Sequence, residues 1–514
     1  MPVESATNNK RIAKNMVLLY LRMFFVMAIQ LYTSRIVLSA LGVVDYGIYN
    51  VVGGIVTLFA FMNMAMINAT QRYITYELGR GDFDALRKVF TTTFQIHIII
   101  AIILILISET IGVWFLFEKM VIPDNRIWAA FWVLQFSIVT TVIAIMSVPY
   151  NSAIIAHEKM DVFAVISIFE VVLKLIIVFS LLLYPYDRLI IYALLMTLAQ
   201  FLIRTIYTIY CNHHFAETHL QKDYDYKLIK EIGSFAGWNI LGGVAGTLST
   251  TGLNLLLNVF FGPIVNAARA VAVQVEAAIT QFSTNFQMAV DPQITKLYAQ
   301  KNMAEMHLLL FRSSKFSFFL LFTASLPVLL ETDIILSVWL KEVPAYTSQF
   351  IRIILCAVVI ESMSRPLMTA ANATGNIKLY QIVIGGLKLL ILPISYFGLL
   401  LGCSPESVFW IYLIVICILF FARLKMLQNM IALSVSDYIK NVVLRCSLVT
   451  IISIVIPLYM HKSYLQNVPN AIIISLVSII SSILVSYTLG MTANERCMIK
   501  HQVVSKYIQI RKLK

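Results

Sequence analysis

The sequence predicts an all-α polytopic membrane protein of about fourteen transmembrane helices, and three observations point to it. Apolar stretches of about twenty residues, long enough to cross ~30 Å of hydrocarbon at a rise of about 1.5 Å per residue, recur from end to end. Only short polar loops separate them. With 60% of residues hydrophobic and 13% charged, little material is left for a soluble domain.

In chain order the first seven spans run 15–38, 46–67, 91–108, 127–148, 162–184, 189–210 and 233–258. The other seven run 268–290, 314–330, 349–371, 379–401, 407–427, 442–460 and 470–490. An even number places both termini on one side. Loops on that side hold most of the Lys and Arg, including Lys10, Arg11, Lys14, Arg72, Arg80, Arg87, Lys88 and the tail from Arg496 to Lys514. The opposite loops hold only Lys119, Arg126, Arg188, Lys341 and Lys462. By the positive-inside rule both termini are cytoplasmic. The same bias absorbs most of the net charge of +13, so no nucleic-acid partner is needed to explain it. The first span is too long for a signal peptide and lacks a small-residue cleavage site, so it is expected to stay as an anchor. Cys211, Cys356, Cys403, Cys417, Cys446 and Cys497 show no CxxC spacing, and neither a metal site nor a disulfide framework is expected.

Shifted by about 220 residues, the chain matches itself weakly but in order. Gly42 falls on Gly262, and Glu109-Thr110, Trp114 and Pro123 fall on Glu331-Thr332, Trp339 and Pro344. Pro149 falls on Pro366, and Leu173-Lys174-Leu175 on Leu387-Lys388-Leu389. The simplest reading is two six-helix lobes, residues 1–231 and 232–428, with two extra helices and a basic cytoplasmic tail in 429–514. Because each lobe has an even number of spans, a pseudo-two-fold axis along the membrane normal would relate them. Such a pair suggests alternating access to a cavity.

Ionisable groups inside spans cost several kcal/mol unless they face a bundle interior or a water-filled cavity, so they mark candidate sites. Arg22, Arg35, Lys174, Arg204, Arg269, Arg352, Arg365 and Lys388 stand against Glu170, Glu276 and Glu361. The interior is biased positive. Residues near span ends, Arg35 and Arg269 among them, can snorkel to the interface. Arg22, Lys174, Lys388 and Glu276 lie deeper. Glu170 and Lys174 stand one turn apart and can neutralise each other, as can Glu361 and Arg365. For the cations Arg22, Lys174 and Lys388 the readiest rationale is an anionic ligand, a phosphate or pyrophosphate, or a partner on another helix. The seventh span is rich in small residues, Gly237, Gly242, Gly243, Gly246, Ser249 and Gly252, which favour close helix packing.

Several short motifs carry no chemistry. Asp82-Phe83-Asp84 has a metal-and-nucleotide spacing, but capping of the following helix is the better account. His157-Glu158 and His213-His214 lack metal-ligand spacing, and there is no P-loop. The opposite-side loops are too short for an external catalytic domain. No catalytic residue, cofactor or enzymatic activity is expected.

The segment Ser34-Arg35-Ile36-Val37-Leu38-Ser39-Ala40-Leu41-Gly42-Val43-Val44-Asp45-Tyr46-Gly47-Ile48-Tyr49-Asn50 resembles the start of the polysaccharide-transport flippases. These form a branch of the multidrug/oligosaccharidyl-lipid/polysaccharide (MOP) exporter superfamily. Gln71-Arg72-Tyr73 to Gly81-Asp82 and Ile155-Ala156-His157-Glu158-Lys159-Met160 are similar to the same branch. The resemblance implies a V-shaped bundle in a bacterial inner membrane. It would move an undecaprenyl-pyrophosphate-linked oligosaccharide to the periplasmic leaflet for O-antigen or capsule assembly, beside other polysaccharide-assembly proteins. Basic residues of the first helices and the C-terminal lobe would line its cavity, Arg22, Arg35 and Arg269 occupying comparable places, and the two extra helices would form a groove for the lipid tail. Two drives are open: membrane potential acting on the anionic cargo, or Na⁺ or H⁺ coupled through Glu170 or Glu276. The alternative is a cation-coupled multidrug exporter of the same superfamily, for which a carboxylate in the first span would be expected; this span has none.

Overall fold

The computed structural model describes residues 2–57, 60–118, 120, 122–181, 187–221, 225–340 and 343–497. The described residues of all fourteen expected spans are helical, apart from short breaks such as those at Met363 and Leu390. Among the described residues ten helices are long and apolar enough to cross a membrane, and an eleventh is the bent tenth span, Thr347–Ser362 with Ser364–Ala373. The eighth span lies in helix Pro263–Ala299 but is less apolar, because Arg269, Glu276, Thr280, Gln281 and Thr284 stripe one side of it. The first two spans share helices Pro2–Thr57 and Ala60–Arg80.

The chain divides into two compact units, one of residues 14–243 and one built on residues 244–514. The repeat is written into their turns. Gly42 and Gly262 have the same backbone conformation, φ 78 and ψ 168 against φ 76 and ψ −169, which a side chain would oppose. Gly81 and Lys301 are both left-handed, and the next residue caps a helix in each case. Asp82 accepts from the Ala85 N–H at 3.0 Å and Asn302 from the Glu305 N–H at 3.3 Å. Glu158 and Gly375 form a third left-handed pair.

Within the first unit, alternate loops gather on opposite faces, as the topology requires. On one face Arg126 spans two loops, donating from Nε to Asp45 at 2.8 Å and from Nη1 to Asp187 at 2.6 Å. Asp187 also caps helix Arg188–His214 through the Leu189 and Ile190 N–H groups. On the other face His157 Nε2 lies 2.5 Å from Glu217 and stacks on Phe215, while Asn15 donates to the Glu158 carbonyl.

In the second unit helices Val435–Ser463 and Val468–Gly490, the thirteenth and fourteenth spans, pack on the ninth span, Met303–Leu330. Any side chain at Gly490 would collide with Phe319 of that span. Both ends are pinned by polar contacts. Lys315 Nζ donates to both oxygens of Glu495 at 2.8 and 2.7 Å, and Glu331 accepts from His461 Nδ1 at 2.8 Å.

Burial alone would raise the carboxyl of Glu495, but the Lys315 ammonium and the Thr492 N–H outweigh it and hold it below the usual range. A depressed carboxylate contributes stability above its unfolded pKa, and that stability is lost as pH falls through the folded one. Glu495→Gln also strands the buried Lys315, at a cost of about 3 kcal/mol. The expected result is a melting temperature several degrees lower at neutral pH, with a shallower fall on acidification than in the wild type. Equal acid slopes in detergent-purified protein would refute this.

Candidate functional site

The polar stripe of the eighth span opens onto a cavity of about 540 Å³ inside the second unit. Glu276, Thr280 and Thr284 recur at helical spacing along its wall. Thr250, Thr251 and Asn254 of the seventh span (helix Tyr226–Phe261), Ile354 of the tenth, and Phe409 and Tyr412 of the twelfth (helix Ser407–Ile431) complete it.

Arg269 enters the cavity wall with its side chain largely committed. It is 5% exposed, Nη1 donates to Asn254 Oδ1, and Nη2 donates to the Thr250 carbonyl at 2.7 Å. It therefore ties the eighth span to the seventh. Glu276 is different. Among the described residues it has no direct hydrogen bond or ion pair, and its carboxylate faces Glu361 and the cations Arg269, Lys388 and Arg365 at longer range.

Behind Glu276 the charges form a network across four spans. Glu361 lies 3.9 Å from Arg423 Nη2, and Lys388 and Arg365 also act on it. Arg423, on the twelfth span, is 2% exposed. Lys388 ends helix Lys378–Leu389, and its carbonyl accepts from Ser249 Oγ at 2.9 Å. Its Nζ lies beside Gly246 of the seventh span, at ordinary contact distance from where a Cβ would stand. Arg365 Nη1 donates to Thr284 Oγ1 on the cavity wall at 3.2 Å. The expected neutralisation of Arg365 by Glu361 is thus replaced. The break at Met363 lies between them, and no ion pair joins the two among the described residues.

In the first unit the candidate residues are closer to self-sufficient. Lys174 donates to Glu170 at 2.5 Å, the one-turn pair anticipated from spacing. Arg22 lays its guanidinium over the Phe163 ring, 4.5 Å from the centroid, with Nε buried and unpartnered. Glu170 and Tyr207 act on it at longer range. The Arg35 side chain lies outside the described residues. Arg22, Lys174 and Glu170 thus fall in one unit and Arg269, Glu276 and Lys388 in the other.

Sequence reasoning passed over Arg423, which sits near the end of its span, where basic residues are routine. The repeat held the clue: Phe201 and Arg204 of the sixth span correspond to Phe420 and Arg423 of the twelfth. It also gave Asp45 no role, although this residue of the opening motif is where Arg126 anchors.

No protein-family model matches the sequence, and no curated relative matches it. The fold is nevertheless that of MATE transporters of the MOP superfamily. An outward-facing multidrug resistance MATE family transporter is similar at 11% identity with a TM-score of 0.68, over 82% of this chain and 97% of that one. A MATE transporter of Vibrio cholerae is similar at 18% identity and a TM-score of 0.69, over 83% and 98% of the two chains. A MATE transporter in complex with Rb⁺ is similar at 16% identity and a TM-score of 0.66, over 83% and 96%.

The different commitments of Arg269 and Glu276 give distinct expectations. Arg269→Gln breaks two partly buried hydrogen bonds and should cost roughly 1–3 kcal/mol of stability. Glu276→Gln removes no direct partner and should leave the melting temperature nearly unchanged. Thermal unfolding of the two purified variants separates the roles; the reverse order would contradict them.

Proposed function

We propose that the protein is an alternating-access transporter that carries an undecaprenyl-pyrophosphate-linked oligosaccharide from the cytoplasmic to the outer leaflet of a bacterial cell membrane, for surface-polysaccharide assembly. The observation that carries this reading is Arg22. It is a cation in the first span that lies on an aromatic ring, has a buried nitrogen without a partner, and has no carboxylate within ion-pair distance among the described residues. A pyrophosphate supplies the missing charge. Lys388 has no carboxylate within ion-pair distance among the described residues, though Glu361 and Glu276 act on it at longer range, and it plays the same part in the second unit. Membrane potential favours outward movement of such an anion, by about 2.3 kcal/mol per elementary charge per 100 mV.

Coupling to Na⁺ or H⁺ falls to Glu276 on this reading. Its carboxylate stands on the cavity wall among hydroxyls and amides, whereas Glu170 is occupied by Lys174. A second reading, a cation-coupled multidrug exporter, draws on the same carboxylate and on the neighbours, one titled a multidrug resistance transporter and one in complex with Rb⁺. The absence of an acid from the first span weighs toward the anionic cargo.

Deleting the gene in its own host separates the two. Under the first reading, surface polysaccharide is lost and the complete lipid-linked unit accumulates in the cytoplasmic leaflet. Wild type restores export, and Arg22→Gln restores it with an apparent affinity reduced about ten- to hundred-fold, the loss of a charge-assisted hydrogen bond. Normal polysaccharide with heightened sensitivity to cationic drugs would transfer the assignment to the exporter. In reconstituted vesicles Glu276→Gln is expected to remove the dependence of transport on a Na⁺ or H⁺ gradient; dependence that survives would exclude this residue from coupling.

A further inference from the structure

Where the thirteenth and fourteenth spans join the start of the ninth, four cations gather around one carboxylate. Arg312 and Lys315 stand one turn apart on helix Met303–Leu330, Arg445 lies in the first turn of Leu444–Ser463, and Arg496 follows Glu495. Glu495 is spent on Lys315. Both of its oxygens accept from that ammonium, Oε2 also accepts from the Thr492 N–H at 2.8 Å, and Arg312 Nε stays 3.9 Å away. Arg445 acts on Lys315 as a further cation. Asp437, the one acid of the thirteenth helix, forms no ion pair among the described residues.

Arg312, Arg445 and Arg496 are thus left without a carboxylate of their own. Two of them are held in a particular way. The Nε atoms of Arg312 and Arg496 are buried without a hydrogen-bond partner, while their terminal nitrogens are neither buried nor bonded to a described protein group. A guanidinium fixed at Nε presents its Nη pair outward as a fork, the geometry that takes two oxygens of one phosphate. Like charges one turn apart on a helix repel, so Arg312 beside Lys315 is opposed unless an anion lies over it. By the shift that puts Gly42 on Gly262, the first unit has Thr92 and Gln95 at these two places. The cations of the ninth span come with the extra helices.

The cluster sits where three spans end, and its rim is apolar. Leu444 and Leu448, on either side of Arg445, and Leu489, shortly before Glu495, are about half exposed. A phosphate that carries acyl chains matches both the forks and this rim; a free anion matches only the forks.

We propose that this cluster binds the phosphate of an anionic glycerophospholipid, taken from the leaflet on the side of the C-terminal tail. The lipid neutralises Arg312, Arg445 and Arg496 and braces the extra helices on the ninth span. The site shares no residue with the cavity wall and stands whatever the cargo is, so its failure and the failure of the flippase reading are separate events.

Native mass spectrometry of the full-length protein in a neutral detergent reads lipid binding one molecule at a time. Phosphatidylglycerol is titrated beside phosphatidylcholine, whose phosphate is balanced by its own ammonium. Wild type should bind its first phosphatidylglycerol several-fold more tightly. Arg312→Gln, Arg445→Gln and Arg496→Gln should each weaken that binding about three- to ten-fold, the loss of one hydrogen-bonded contact. The triple variant should lose the preference, and the single variants carry the test if it does not fold. Lys88→Gln, the same charge change on an exposed lysine of the first unit, should leave the preference intact. Equal affinity for the two lipids in the wild type, or a preference that survives the three substitutions, would overturn the proposal. So would displacement of phosphatidylglycerol by equimolar inorganic phosphate or pyrophosphate, which would make this a site for a free anion.

Discussion

The cost of holding charge in a bilayer organises this protein more than any other term. A cation taken out of water must be paired, hydrogen-bonded or allowed to reach an aqueous surface, and each solution chosen here joins particular helices. Arg269 binds the seventh span to the eighth, Glu361 and Arg423 set the tenth beside the twelfth, and Lys315 with Glu495 fastens the end of the fourteenth to the ninth. Apolar packing between membrane helices is not directional, since lipid tails are as apolar as Leu. The ionic contacts supply a register that hydrophobic contact cannot.

The spans were legible in the sequence because hydropathy over about twenty residues leaves few alternatives in a membrane. The eighth was the weakest by composition for the reason that makes it informative: its polar stripe is the cavity wall. The repeat was legible where the constraint falls on residue type, as at Gly42 and Gly262, and hidden where another residue tolerates the same backbone, as at Lys301 opposite Gly81. The Glu170 and Lys174 pair followed from spacing because an unbroken helix keeps residues four apart in register. The same rule misplaced Glu361 and Arg365, because the helix is broken at Met363 between them and bends by 42° there. Spacing predicts local neighbours only where the helix is known to be straight.

The repeat also shows how two copies of one architecture acquire different duties. Lys174 and Lys388 are equivalent by sequence, yet Lys174 is neutralised by an acid on its own helix while Lys388 has none beside it. Arg204 and Arg423 are likewise equivalent, and only Arg423 has a carboxylate at ion-pair distance among the described residues. Among the described intramembrane residues of the first unit, the Glu170 and Lys174 pair is settled on its own helix. Charge in the second is shared across spans eight, ten, eleven and twelve.

A shared network has a mechanical consequence that local pairs lack. When one carboxylate is faced by several cations, small displacements exchange its partners at low cost, because Coulomb energy lost to one is recovered from another. Glu361 is so placed, with Arg423 at ion-pair distance and Lys388 and Arg365 acting on it from other directions. The helix that carries it is the one that bends. A transport cycle needs an element with two arrangements of similar energy, and rigid, individually satisfied ion pairs do not provide one. On the transporter reading proposed above, this shared network makes the second unit the place to look for such an element, beside the extra helices packed on the ninth span.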